Sequence, residues 1–156
     1  MKMMTAAYYQ TPIGTLYADF DGDLLCTLVL TAADVPNSAD TPAAAALGAA
    51  LDRYFAGDAH AFDGIAIRMQ GTPFQVKVWN ALRGIPYGQV RTYGEIAAAI
   101  GLPGASRAVG CACNKNHLLL IVPCHRVVSS GGRLGGFALG TDIKRQLLHL
   151  ESAKIG

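Results

Sequence analysis

Apolar and polar residues alternate through "YYQTPIGTLYADFDGDLLCTLVL", residues 8–30. A period of two puts successive side chains on opposite faces of an extended chain, so residues 5–31 predict strands with one face buried. The alternation breaks at Thr11-Pro12-Ile13-Gly14 and again at Asp21-Gly22-Asp23. Both are turn sequences, and the second is a hairpin signal. Residues 32–41 hold Pro, Asn, Ser and Asp and predict a loop. From Pro42 onward, "PAAAALGAALDRYFAG" predicts an Ala- and Leu-rich helix over 42–56 with Gly57 at its stop. "HAFDGIAIR", residues 60–68, is expected to be a further strand.

The pattern turns helical near Gln70-Gly71. Thr72 is placed to cap a helix with Pro73 at its first position, and Phe74, Val78, Trp79 and Leu82 follow at helical spacing. "IPYGQVR" is a turn. Thr92-Tyr93-Gly94-Glu95 fits a capping box, and "EIAAAIG" continues as a short helix. "LPGA" turns the chain into "SRAVGCACNK", a second short helix of small residues, among them Ala108, Gly110 and Ala112. Two short helices joined by a glycine-containing turn predict a helix-turn-helix. The apolar run Leu118–Pro123 predicts a buried strand ending at Cys124, followed by a loop carrying Gly131-Gly132 and Gly135-Gly136. Thr141 to Glu151 predicts an amphipathic helix with Ile143, Leu147, Leu148 and Leu150 inward. The fold class is therefore α/β in the α+β sense. An α/β domain over 1–69 precedes a mainly helical domain over 70–156.

Composition sharpens that division. The hydrophobic fraction of 51% is ample for a core, and no apolar run approaches the roughly 20 residues that span a bilayer. The N-terminal "MKMMTAAYYQ" is too short an apolar stretch for a signal peptide, so a cytoplasmic, intracellular protein is expected. Residues 1–69 carry three Lys or Arg against eight Asp, while residues 70–156 carry ten against three acidic residues. The formal net charge of +2 is thus a net of −5 followed by a net of +7. A basic half on an acidic chain suits a polyanion met by the C-terminal half alone.

Four cysteines are present, Cys26, Cys111, Cys113 and Cys124. With a full core and no secretion signal, all four are read as free thiols. Zinc held by Cys111, Cys113, His117 and Cys124 would need a Cys-x-Cys spacing tighter than usual, so no metal is expected. Cys124 stands out chemically. Pro123 ends the apolar run before it, His125 and Arg126 are positive neighbours that favour thiolate, and glycines able to wrap a ligand follow. With an ordinary thiol pKa of about 8.5, modest help makes such a cysteine a nucleophile. A Cys-His hydrolase is one use of it, but that gives no reason for a basic helix pair.

"GTPFQVKVWNALRGIPYGQVRTYGEIA", "RAVG" and "PCHRVV", with "TPIGTLYADFDGDLL" nearer the N-terminus, resemble the O6-alkylguanine-DNA alkyltransferase family. The resemblance runs over essentially the whole chain. It implies a ribonuclease H-like N-terminal domain and a C-terminal domain that binds duplex DNA. There an O6-alkylated guanine is flipped into a pocket and its alkyl group passes irreversibly to a cysteine, with O4-alkylthymine as a second base to consider. Carried onto this sequence, Cys124 is the acceptor, and His125 and Glu151 complete a Cys–water–His–Glu relay. Tyr93 donates to the leaving base, and Asn116 braces the turn. Arg107 is the finger that fills the gap left by the flipped base. Thr92, Ser106, Ala108 and Arg126 join it on the DNA, and Val127, Phe137, Ala138 and Leu119 line the base pocket. No cofactor, no membrane and a monomer are implied. Phe137 departs from a common tyrosine, and Leu118-Leu119-Leu120 from a stretch that often carries prolines. Two alternatives remain beside the hydrolase. Alkyltransferase-like proteins recognise the lesion without transfer but lack the acceptor cysteine, which this chain has. A helix-turn-helix transcription factor needs polar side chains on its second helix, and "SRAVGCACNK" offers few.

Overall fold

The computed structural model of the protein describes residues 4–132, 134 and 140–152. The chain divides into two compact units, Met1–Met69 and Gln70–Gly156.

In the first unit the alternating segment forms three antiparallel strands in sequence order: β1 (Met4–Thr11), β2 (Gly14–Asp21) and β3 (Leu24–Leu30). The register pairs Tyr8 with Tyr17 and Ala18 with Leu28, with one irregularity at Asp19/Phe20. One face of the alternation is buried, through Ala7, Tyr9, Leu16, Ala18, Phe20 and Leu28. Helix α1 (Pro42–Phe55) buries Leu47, Ala50, Leu51 and Tyr54. The Tyr9 hydroxyl, on the buried face of β1, donates to the Ala44 carbonyl at 2.7 Å. Thr41 caps α1 by accepting from the Ala44 N–H. At the other end Gly57, at φ 101°, donates to the Tyr54 carbonyl while Asp58 donates to Arg53. That left-handed stop satisfies carbonyls the helix leaves open, and glycine takes it at no steric cost.

Residues 60–68 are not the expected strand. Turns occupy 59–64, and the segment meets β3 only through a bridge from Leu25 to Ile67. The Leu25 N–H donates to Ala66 and its carbonyl accepts from Arg68. Asp63-Gly64 breaks the apolar run too early for a longer ladder.

In the second unit the helices are α2 (Pro73–Arg83), α3 (Tyr93–Ala99), α4 (Ser106–Asn114) and α5 (Thr141–Leu150). The expected cap at Thr72 and capping box at Thr92 are both formed, and Gln75 makes the first a full capping box as well. The Thr72 hydroxyl accepts from Gln75 N–H at 3.1 Å and the Gln75 side chain accepts from Thr72 N–H at 3.0 Å. Thr92 and Glu95 repeat the arrangement at 3.0 and 2.9 Å. The turn of the helix pair depends on Gly101, at φ 80°. Its N–H bonds Ala98 and that of Leu102 bonds Ala97, which closes α3 and releases the chain toward α4. Trp79 on α2 ties this pair down, its indole N–H donating to the Ala112 carbonyl at 2.9 Å.

The run Leu118–Pro123 is buried as expected but is not a strand. It coils, with Val122 N–H bonded to Leu118, Ile121 N–H to Leu119, and Leu120 left-handed at φ 71°. A leucine there costs roughly 1–2 kcal/mol. The compensation is Asn116, whose carboxamide accepts from Leu118 N–H at 2.9 Å and donates to the Val122 carbonyl at 2.8 Å. A single 3-10 turn, Cys124–Arg126, follows and leads into β5 (Val127–Val128). β5 runs parallel to β4 (Arg91–Thr92), pairing Val127 with Arg91. Among the described residues no helix is long and apolar enough to cross a membrane.

Thr72→Ala removes one half of a formed capping box. It is expected to lower stability by about 1 kcal/mol, read as a shift of the chemical-denaturation midpoint at unchanged slope.

Candidate active site

Asn116 does more than brace the coil. The same Nδ2 that holds Val122 lies 3.2 Å from Cys124 Sγ, aimed to donate to the sulfur. Cys124 is buried at 5% exposure. Burial pushes its thiol up from the ordinary value. The Asn116 hydrogen bond and the nearby Lys144 charge hold that rise back.

The next two residues of the turn point into one carboxylate. His125 Nε2 lies 2.7 Å from Glu151 Oε2. Arg126 donates from Nε to Oε1 at 2.8 Å and from Nη2 to Oε2 at 3.0 Å. Its third nitrogen, Nη1, donates to the Ile85 carbonyl at 2.8 Å. Burial alone would raise Glu151, but the hydrogen bonds from His125 and Arg126 outweigh it and bring the carboxyl down to about 2. Burial lowers His125 from its ordinary value, against the pull of Glu151. The resting site therefore holds a neutral thiol, a neutral imidazole and an ionised carboxylate. An ionised carboxylate only accepts, so the imidazole proton sits on Nε2 and Nδ1 is left as the ring's acceptor.

The sequence expectation that His125 and Arg126 act as positive neighbours of the thiol is corrected here. His125 is neutral, and Arg126 is buried and committed to Glu151 and Ile85. The same pairing removes Arg126 from the residues expected on DNA. The positive charge near the sulfur comes from Lys144, which the sequence reading passed over. Lys144 is fully buried on α5. Its ammonium donates to the Val127 carbonyl at 2.6 Å and lies 5.9 Å from the centre of the Tyr93 ring. Burial brings it down to about 8. The inward face of α5 is Lys144, Leu147, Leu148 and Glu151, with Ile143 and Leu150 only half-buried. Spacings of three, four and seven carry the signal: two ionisable residues stand where the apolar stripe belongs.

The remaining site residues lie around the turn and on the helix pair. Tyr93 opens α3 half-buried, and burial, with the nearby Cys113 and Cys124, pushes its hydroxyl up to about 12. It lines an open hollow of about 490 Å³ with Ser106, Arg107, Gly110, Cys111 and Asn114. Arg107 and Ala108 are exposed in the first turn of α4, and Thr92 is the N-cap of α3. α4 itself starts at Ala105 without a side-chain cap. Leu119 and Val127 are buried beside the turn. Phe137 and Ala138 lie outside the described residues, as does most of the expected lid loop. Among the described residues, no three of His, Cys, Asp or Glu gather as a metal ion would need.

Residues 73–153 match the family model described as 6-O-methylguanine DNA methyltransferase, DNA binding domain. The chain belongs to that family. A methylated-DNA–protein-cysteine methyltransferase of Mycobacterium bovis is 44% identical over 155 residues, covering 94% of this chain and 93% of its own. One of the same name from Methanosarcina acetivorans is 56% identical over 103 residues, which are 66% of this chain and 65% of that protein. The structure of Mycobacterium tuberculosis OGT in complex with DNA aligns with a TM-score of 0.81 at 40% identity, over 93% of this chain and 91% of that one. The α/β fold is that of this structure, and the chain is an enzyme of the methyltransferase class the family defines.

The carboxylate sets a stability profile. A folded pKa of about 2 against an ordinary 4.5 means the stabilisation from Glu151 is fully present above pH 4.5 and is lost as pH falls toward 2. Glu151→Gln is expected to cost about 3–5 kcal/mol at neutral pH, because it leaves Arg126 buried without its counter-ion. The gap to wild type should narrow below pH 4.5, measured by denaturant unfolding across the acid range.

Proposed function

We propose that the protein repairs duplex DNA by direct reversal, drawing an O6-alkylated guanine out of the helix and moving its alkyl group to Cys124. The observation that carries this reading is the buried Cys124 thiol, in reach of an Asn116 N–H and beside the His125–Glu151 pair, in a chain of this family. The thiol proton leaves toward His125, through a bridging water. The sulfur attacks the alkyl carbon in line, an S–C bond forms, and the C–O6 bond breaks with its electron pair going to the base. The guanine anion takes up a proton, so thiol and alkylguanine become thioether and guanine with no other reactant.

Displacement at a saturated carbon has no tetrahedral oxyanion. What it needs is alignment and stabilisation of the charge that develops on the leaving base. Tyr93 suits the second task, since a hydroxyl raised to about 12 remains a donor throughout the neutral range. The thioether cannot be reversed by thiol exchange, so each molecule acts once.

The reacting carbon lies inside the stack until the base is extruded, at a cost of a few kcal/mol. Arg107, exposed at the start of α4 and on the rim of the hollow, is suited to fill the vacated space. The uncapped first turn of α4 and its small residues suit close approach to phosphates, with Ser106, Ala108 and Thr92 near the backbone.

Mixing the protein with a duplex holding one O6-methylguanine tests the reading by intact mass. A gain of one methylene, once per molecule and mapped to Cys124, is expected. Cys124→Ala should bind the duplex and gain nothing. Transfer surviving in that variant, or no gain in wild type, overturns the reading. Arg107→Ala should slow transfer from duplex by on the order of tenfold while leaving reaction with free O6-benzylguanine unchanged. Equal losses on both would remove the finger role.

A further inference from the structure

We propose that Arg126 is a positioning residue of the proton path: by holding both oxygens of Glu151, it keeps the His125–Glu151 pair unprotonated and so able to take the proton of Cys124. The inference rests on the function proposed above.

The geometry is that of a fixed fork. Nε and Nη2 take one carboxylate oxygen each, Nη1 is anchored on the Ile85 carbonyl, and the guanidinium carbon lies 5.8 Å from the centre of the Tyr87 ring. The Glu151 side chain is 0% exposed and that of His125 1%. Water therefore does little to stabilise the carboxylate's charge.

A buried carboxylate beside a neutral imidazole needs a cation. Without one, the pair takes a proton from solvent. Whether that proton is drawn on the imidazole or on the carboxyl, the pair then holds one more proton and has no room for the one on Cys124. Arg126 supplies the cation permanently, since a guanidinium does not titrate in the working range. The pair is left one proton short, with Nδ1 of His125 open. When the thiol ionises, its proton goes to that nitrogen, and Glu151, still an anion, stabilises the imidazolium.

Among the described residues, the charges that bear on His125 are Glu151 and Lys144, from α5 and its end, and Arg126 from its own turn. Lys144 also disfavours a protonated imidazole, and its ammonium donates to the Val127 carbonyl. Arg126 bonds both oxygens of the carboxylate, as a planar fork can where a lysine presents one point of charge.

The test follows three quantities against pH. These are methyl transfer from the lesion duplex, alkylation of Cys124 by iodoacetamide, and the His125 ring titration by NMR. Arg126→Gln should move the acid limb of both rates, and the His125 titration, upward by about one to three pH units. Arg126→Lys should move them in the same direction by less. In a Glu151→Gln background, Arg126→Gln should add no upward shift, because no carboxylate remains to hold a proton. A folded Arg126→Gln with the wild-type limb, or an equal shift in the Glu151→Gln background, overturns the inference. If Arg126→Gln does not fold, the limb of Arg126→Lys decides in the same way. If wild type takes no methyl group but its alkylation and His125 profiles respond as described, the proposed function fails and the role of Arg126 stands.

Discussion

One buried carboxylate organises the catalytic half of this chain. Glu151 lies just beyond the last turn of α5 and receives His125 and Arg126 from the turn after Cys124. Removing a charge from water is tolerable only when its lone pairs are filled. Here Oε2 meets both His125 and Arg126, and Oε1 meets Arg126. The end of α5 and the position of the turn are thus fixed by the same bonds. The third arm of Arg126 reaches the Ile85 carbonyl, at the exit of α2. A displacement of α5 would strand two ionised groups in the interior, so the thiol's place depends on a helix that begins 17 residues later.

The thiol's other support is local. Asn116 offers one carboxamide to three partners, Leu118, Val122 and the sulfur of Cys124. Two of those bonds hold the coil that places Leu120 at φ 71°. A strained turn survives where its surroundings over-determine it, and here the over-determining group also touches the reacting atom.

Much of this was legible in the sequence. The strand alternation, the hairpin at Gly22, the Thr72 cap, the Thr92 capping box and the stop at Gly57 are short-range signals, and the residues that make them are neighbours in the chain. Leu118–Pro123 misled because an apolar run reports burial and not conformation. The decisive bond comes from Asn116, whose carboxamide competes with the backbone for partners. Residues 60–68 misled in the same way. Arg126 misled because adjacency to Cys124 suggested that its charge serves the sulfur, whereas its partner is 25 residues on. Lys144 could have been found. It breaks the apolar stripe of α5 at the same spacing as Glu151, and a lysine on an inward face calls for a partner.

Burial in this site works against the nucleophile and for the reaction. A thiol pushed up by its surroundings is protonated at rest, and the protonated form is the one that resists oxidation and stray electrophiles. On the proposed reading the protein has one acceptor and uses it once, so a thiolate exposed before the base arrives would be lost to other chemistry. The site keeps the parts of ionisation ready without completing it. Nδ1 of His125 is open, Glu151 is held as an anion, and Asn116 and Lys144 are placed to favour negative charge on sulfur. A base entering the pocket displaces water and supplies the alkyl carbon. Ionisation is then coupled to attack, and the resting inertness of Cys124 and its reactivity follow from the same buried charges.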